Sequence, residues 1–524
     1  MRLAIIGGGS SGLVSLKTAR DLLPNWEATL FERSGSLVGV WGDPYPGFVS
    51  TSTKYTTQFA CFPQWGAIPD PDGGASQSEF FRGDEYGRYL TAFADRFGLR
   101  DHVRLHADVT DLRRTGDRWT LTIREGDRVA DEAFDAVIVA TGLAAQSQPI
   151  VVDGPARTVD GRALLTAASP PICGQTVVVI GGGEFAVDLA HRLAAPKLGN
   201  RTLLSLRSGV RVSPRYHPIR GVPSDFLRNR LMLSFDPGLR NAIGERVVQT
   251  RIRFAGLVRR LFPGRAKPPA ENADAATRRR YWDAQLTAAA KGGVFDVFHN
   301  KSDDFLDAVA AGRLEIVGPP TDATHTAFET FDRTGTVDVD PDAIVPAIGF
   351  CSRLDELTGG TIRPGDFHLG CVHAEHDDLF LVGFARPIIG SIPPIAEMQA
   401  RYACSLLAGR CERPANLPDR IAGERADQRE RFPALPHDRT YPVEMIPYCD
   451  TLARRLNEMP RPRGWRERWR LATAPATTLD YAGFANTQPT QRAMPLPLVA
   501  LIGSLRPLDW LIKRRNGERP ASAD

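Results

Sequence analysis

Arg2 to Ile6 reads as a short strand that stops at Gly7, after which apolar residues return at Leu16, Ala19 and Leu23. Those three positions share one face of a helix, so the chain opens with a predicted strand, glycine turn and helix. A second strand is expected in TLFER, Thr29 to Arg33. The same order recurs from Thr176. A β-branched stretch to Ile180 meets Gly181, a helical face runs through Ala186, Leu189, Ala190 and Leu193, and the next strand lies in TLLSLRSG, Thr202 to Gly209.

Each glycine turn has a chemistry that follows from its spacing. Gly7 permits the tight turn, Gly9 lets the backbone approach a pyrophosphate, and Gly12 lets the helix pack against its strand. Ser11 lies within the turn. Glu32 stands at the end of the second strand, where a carboxylate accepts both hydroxyls of a ribose. In the second turn Gly181, Gly183 and Ala186 form GxGxxA, and the strand after it ends on Arg207, not on an acid. A guanidinium there suits a ribose 2′-phosphate, with Ser208, Arg211 and Arg215 near enough in sequence to assist. The first turn is thus expected to hold a dinucleotide with a free ribose, and the second NADPH.

A nine-residue echo supports two nucleotide domains. DAVIVATGL, Asp135 to Leu143, aligns without gaps on DAIVPAIGF, Asp342 to Phe350, each an apolar strand running into a glycine. The predicted fold is α/β with two doubly wound, Rossmann-like domains, the second inserted in the first. The boundaries expected are 1–155 with 335–450 for the first domain, 156–334 for the second and 451–524 for a C-terminal extension. A helical insertion is expected near 215–291, where RVVQTRIRFAGLVRRLF (Arg246 to Phe262) fits either a lid over the substrate entrance or a homodimer contact.

Composition narrows the class. With 42% hydrophobic and 24% charged residues, the chain has the balance of a soluble globular protein. A net charge of +4 over 524 residues argues against nucleic acid as a partner, and the basic clusters at Arg278 to Arg280 and Arg251 to Lys267 read as solvated faces. Seven scattered cysteines show no paired spacing, which argues against a dithiol reductase and suggests no zinc site, and points to reduced thiols. A strand starting at Leu3 leaves no place for a signal peptide, so the expected location is cytoplasmic. The late apolar run Leu498 to Leu505 is too short to span a bilayer; it suits packing on a domain or peripheral contact with a membrane.

The order of motifs resembles the flavin-containing monooxygenases, relatives of the Baeyer–Villiger and N-hydroxylating flavoproteins. The likeness runs from Met1 to about Asp450. It rests on FERSGSLVGVW, TKYTTQFACFP (Thr53 to Pro63), ATG (Ala140 to Gly142), LRSG, KSDDFLDAVAAGRLEI, DLFLVGF, IPPIAEMQARY and IPYCDTLA. The resemblance implies FAD in the first domain and NADPH in the second, and oxygenation of an amine nitrogen or a sulfur in a small molecule by O2 through a peroxyflavin. It also implies site residues. Gly7, Gly9, Ser11, Gly12 and Glu32 would bind FAD, with Trp41 flanking it and Gln399 beside the flavin. Gly181, Gly183, Ala186, Arg207 and Ser208 would bind NADPH, and Thr141 and Gly142 would line the seam.

Three positions depart from the family pattern. Lys54 stands where many members carry an active-site Asn, which makes its ammonium the candidate catalytic group at the reactive edge of the flavin. The fingerprint FxGxxxH falls on VDGRALL, where Gly161 matches but Val159 and Leu165 replace the Phe and His. The second turn reads GGGEFA, with Phe185 in place of a small residue and Glu184 next to it, a carboxylate that disfavours a pyrophosphate unless it turns outward. Baeyer–Villiger oxidation of a ketone, an NADPH oxidase and a non-catalytic flavin-bound sensor are the alternatives these departures keep open.

Overall fold

The computed structural model describes residues 1–42, 44–45, 47–63, 79–165, 171–216, 223–254, 257, 273–433, 435–481 and 502–516. Two seven-stranded sheets organise the chain. In the first, β1 (Arg2–Ile6) is flanked in parallel by β2 (Glu27–Phe31) and β3 (Ala136–Val139). Leu3 and Ile5 face one apolar cluster and Ala4 and Ile6 another, so both sides of β1 are covered, which is why its sequence is continuously apolar. Helix α1 (Ser10–Leu22) connects β1 to β2. On the opposite face lies a three-stranded antiparallel sheet spanning Asp108–Thr115, Arg118–Glu125 and Arg128–Phe134.

The second sheet repeats the plan. β4 (Thr176–Ile180) leads through a glycine turn into α2 (Glu184–Leu193) and then β5 (Arg201–Ser205), parallel to β4. The other neighbour of β4 is β6 (Ala343–Pro346), in register from Val177 with Ala343 to Ile180 with Pro346. This corrects the expected return to the first domain near residue 335. The echo segment at 342–350 belongs to the second sheet, and the first sheet takes up the chain again only at Phe367.

The echo is therefore structural equivalence. Asp135 Oδ2 accepts from the Arg2 N–H at 2.6 Å, and Asp342 Oδ2 accepts from the Thr176 N–H at 2.8 Å. At the far ends Ala140 N–H donates to the Ile6 carbonyl at 2.9 Å and Ala347 N–H to that of Ile180 at 2.8 Å. The same nine-residue pattern fastens the same strand in each unit. Between the sheets the chain crosses after β3 and again after β6, and the two crossings pair as an antiparallel ribbon, Gln146 with Cys351 and Ser147 with Phe350.

The insertion holds α3 (Pro237–Arg253) and a helix over Ala273–Ala288. Of the expected helix at Arg246 to Phe262, the part to Arg253 lies in α3; residues 255–256 and 258–262 are outside the described residues. Several of the expected solvated basic residues are engaged internally: Arg279 pairs with Asp307 at 2.9 Å, and Arg278 donates to the Ala310 carbonyl at 2.6 Å. Near the other end, α4 (Ile392–Leu407) packs against α1, α5 (Met445–Arg455) packs on α4, and α6 (Arg506–Arg515) docks on the start of α3. That docking rests on Asp509, which accepts from the Asp236 N–H at 2.6 Å. In the late apolar run, 498–501 fall outside the described residues, while Ile502 and Leu505 are partly buried. No helix among the described residues is long and apolar enough to cross a membrane.

Candidate functional site

The first glycine turn opens onto a cavity of ≈ 390 Å³, lined by Gly7, Gly9, Ser11, Glu32, Trp41, Thr141 and Gly142 among others. The glycines divide by cause. At Gly7, φ is +110° and a Cβ would stand 2.6 Å from the Ala140 carbonyl oxygen, so the fold itself requires glycine there. A Cβ on Gly12 would fall 1.8 Å from the Gly7 oxygen. Gly9 is different: its φ is −76° and a Cβ would meet nothing nearer than Gly39 Cα at 3.9 Å. Space is kept where the protein does not use it, beside the first turn of α1, which has no side-chain cap on its free N–H groups.

Two further observations fit a nucleotide here. The Thr141 hydroxyl is buried without a hydrogen-bond partner among the described residues. Glu32, buried at the end of β2, accepts from the Gly8 N–H at 2.6 Å and the Ser34 N–H at 2.8 Å, so its carboxylate is fixed beside the turn. Cradle, orphan hydroxyl and fixed carboxylate match the pyrophosphate, polar edge and ribose of FAD.

The second turn repeats the division. A Cβ on Gly181, where φ is +140°, would stand 2.2 Å from the Ala347 oxygen, whereas one on Gly183 would meet nothing within 4 Å. Helix α2 again starts without a side-chain cap, and Ala186 is buried against the strand. Ile6 pairs with Phe31 and Ile180 with Ser205, so Leu206 takes the place of Glu32. No carboxylate meets a ribose there. The exposed residue beyond it is Arg207, whose guanidinium has no partner among the described residues, with half-buried Ser208 next. Arg211 and Arg215, expected to assist, are committed elsewhere. Arg211 pairs with Glu245 at 2.5 Å, and Arg215 donates to the Val49 and Ser50 carbonyls at 3.0 and 3.3 Å.

Between the two turns lies a larger cavity of ≈ 600 Å³. Trp41, Ile392 and Pro393 line both it and the first cavity, so the two adjoin. Trp41 stands edge-on to Tyr86 at 4.9 Å and to Phe48 at 5.6 Å, giving this wall an aromatic lining. Glu184 does not turn outward. It lines the large cavity, where burial pushes its carboxyl up against the opposing pull of Arg386, Lys301 and Arg215 and a hydrogen bond from Thr51. Phe185 fills space that Gly161 leaves: a Cβ on Gly161 would come 3.0 Å from its ring, which also meets Phe350 edge-on at 5.1 Å. Val159 packs on the same cluster, so the altered fingerprint is rebuilt as apolar packing.

Two expected site residues are placed differently. Lys54 lines neither cavity; its ammonium and the Glu85 carboxylate, each 1% exposed, form a 2.8 Å ion pair, and Glu85 also accepts from the Arg82 N–H. Gln399, fully buried in α4, sits one layer behind the first cavity. Its Oε1 accepts from the Gly383 N–H at 2.9 Å and its amide donates to the Tyr448 hydroxyl at 2.8 Å; Gly383 itself lines the cavity. Gln399 positions a wall and does not form it. Nothing in the sequence points to Arg386, which lines the large cavity with its guanidinium 3.8 Å from the Phe298 ring centre, or to Tyr45, whose hydroxyl donates to Asp188 of α2 at 2.6 Å.

One glycine turn opens on a cavity beside a carboxylate placed for a ribose, and the helix that follows the second turn walls the adjoining cavity through Glu184 and Phe185, while Gly181, Gly183, Ala186, Arg207 and Ser208 line neither cavity; the arrangement fits an oxidoreductase that uses two nucleotides. Residues 1–256 match the family described as flavin-binding monooxygenase-like. The chain is 24% identical over 483 residues to a 4-hydroxybenzoate brominase (decarboxylating) of Pseudoalteromonas luteoviolacea, covering 88% of this chain and 84% of the relative. It is 24% identical over 487 residues to dimethylaniline monooxygenase [N-oxide-forming] 2 of Rattus norvegicus, covering 88% and 83%. Its fold is similar to that of cyclohexanone monooxygenase from Rhodococcus sp. Phi1 bound to NADP+, with a TM-score of 0.58 at 17% identity over 86% of this chain and 96% of that one. The family match covers residues 1–256, and over most of its length the chain is similar to flavin-dependent monooxygenases; it is an oxidoreductase with FAD and NADPH as its cofactors.

Proposed function

We propose that this monooxygenase inserts one atom of O2 into a nitrogen or sulfur centre of a small molecule. The observation that supports this reading is the wall shared by the two cavities at Trp41, Ile392 and Pro393, which joins the FAD-type turn to the cleft walled by Glu184 and Phe185 at the start of α2. Gly7, Gly9, Ser11, Gly12, Glu32, Thr141 and Gly142 would hold FAD; Gly181, Gly183, Ala186, Arg207 and Ser208 would hold NADPH. When bound, FAD accepts hydride from NADPH and, once reduced, activates oxygen. The chain contributes placement and exclusion of water. Glu32 fixes a ribose, Arg207 selects the 2′-phosphate, and the aromatic wall of Trp41, Phe48 and Tyr86 keeps the junction apolar.

A nitrogen or sulfur lone pair attacks without a protein base, which agrees with the scarcity of acid–base groups at the shared wall. All seven cysteines are free thiols, and we place the protein in the reducing cytoplasm on that ground. The test supplies NADPH and 18O-labelled O2 with a tertiary amine, a thioether and a ketone. The expected products are an N-oxide or a sulfoxide carrying one labelled atom. Labelled ester from the ketone alone moves the assignment to Baeyer–Villiger chemistry, labelled hydrogen peroxide with no organic product to an oxidase, and failure of NADPH to bleach the flavin to a non-catalytic protein.

A further inference from the structure

Beside the cleft, and sharing His299, Lys301 and Ile389 with it, lies a separate cavity of ≈ 270 Å³ against α3. Its wall is mostly apolar: Met232, Phe235, Val247, Val248, Phe295 and Leu505. The charged side chains on that wall can be accounted for one at a time. Arg240 donates to both Glu444 oxygens at 2.7 and 3.0 Å. Lys301 is paired with Asp225 and donates to the Thr51 carbonyl at 2.7 Å, and Arg251 faces Asp283 at 3.6 Å. His299 has both ring nitrogens engaged, by the Ser213 hydroxyl and the Val294 carbonyl, and burial pulls it down to about 3, so it is neutral.

Among the described residues of that wall, Arg228 alone has no carboxylate within ion-pair distance. Its Nη2 is shut off from solvent with no hydrogen-bond partner among the described residues, and its guanidinium carbon lies 5.4 Å from the Phe295 ring centre. The nearby carboxylates are already taken, Glu444 by Arg240 and Arg431 and Asp225 by Lys301. Burial pulls the guanidinium down to about 10, still protonated at neutral pH. The backbone holds it in place: the Arg228 carbonyl accepts from the Ala476 N–H at 2.9 Å, and Asn229 caps the following helical turn. An unpaired guanidinium at an apolar cavity is destabilising unless an anion completes it.

We propose that this cavity binds an apolar carboxylate, its hydrocarbon against the α3 wall and its carboxylate on Arg228. A guanidinium at the cavity wall attracts a carboxylate by charge and a charge-assisted hydrogen bond, and the apolar wall selects against small hydrophilic anions. The site is distinct from both nucleotide turns.

Binding of octanoate and of octanol to the FAD-loaded full-length protein, followed by calorimetry, tests this. The wild type should bind octanoate at least tenfold more tightly than octanol, and Arg228→Leu should lose at least tenfold toward octanoate while its affinity for octanol holds. Equal binding of acid and alcohol by the wild type, or unchanged octanoate affinity in Arg228→Leu, overturns the proposal. Flavin content and Tm report folding of the variant; if it does not fold, the acid-against-alcohol comparison in the wild type decides alone. Recovery of octanoate after turnover with NADPH then tells the source of such a ligand, oxygenated if it is a substrate and intact if it is an effector.

Discussion

Glu32 and Gly8 are joined by a 2.6 Å hydrogen bond from the Gly8 N–H to the glutamate Oε2, directly across the first glycine turn. The carboxylate that is to meet a ribose therefore also shapes the loop that is to meet the phosphates. Glu32→Gln keeps the side-chain size but loses the charge and one of the two backbone hydrogen bonds, because its amide nitrogen cannot accept from the Gly8 or Ser34 N–H. A hydrogen bond to a charged group contributes about 1.5–3 kcal/mol, so FAD affinity should fall roughly 10- to 100-fold. The ratio of flavin absorbance to protein after dialysis reads this directly.

Arg207 carries the choice between the two nicotinamide donors. With Leu206 in the place of a ribose-binding acid, removing the guanidinium in Arg207→Ala should raise the KM for NADPH about 10- to 100-fold, while that for NADH moves little. Equal losses for both donors would show that Arg207 does not meet the 2′-phosphate.

Lys54 and Glu85 form a pair buried at 1% exposure on both sides. Breaking one member of such a pair costs about 3–5 kcal/mol, because the other charge is left unpaired. Lys54→Met should lower Tm sharply, and the double variant Lys54→Met with Glu85→Leu should recover most of the loss. If Lys54→Met keeps its Tm and flavin but loses turnover, the ammonium acts in the chemistry after all.

Glu444 sets a pH dependence of stability. Burial pushes its carboxyl up, but hydrogen bonds and charge from Arg240 and Arg431 outweigh burial and bring it to about 2, below the ordinary 4.5. A lowered value in the folded state means that the contribution is complete above about pH 4.5 and is lost as pH falls toward 2. Urea unfolding at pH 5 and pH 3 should show Glu444→Gln losing about 2 kcal/mol less than the wild type over that interval.

The parts of the site that local spacing controls were legible in the sequence. Gly7, Gly12 and Gly181 are set by close backbone approach within one turn, and Glu32 by the length of one strand–helix–strand unit. What was not legible depends on partners far away in the chain. Lys54 meets Glu85 31 positions later, and Gln399 meets Gly383 through the packing of α4. No periodicity marks either contact. The strand at 343–346 is apolar and glycine-terminated in sequence, but apolar strands of two parallel sheets look alike, and only register with Thr176–Ile180 assigns it. Local sequence makes Glu184 tolerable only if it turns outward, because the compensating cations at 215, 301 and 386 lie on three separate segments.

The ribbon formed by Gln146–Ser147 and Phe350–Cys351 unites the two crossings between the sheets. A pair of hydrogen-bonded strands bends easily across its face but resists shear and stretch along its length. The two connections are therefore fastened to each other, and the Tyr45–Asp188 bond and the Arg215 bonds to Val49 and Ser50 join the same two units at further points, so the cleft between them is braced on more than one side.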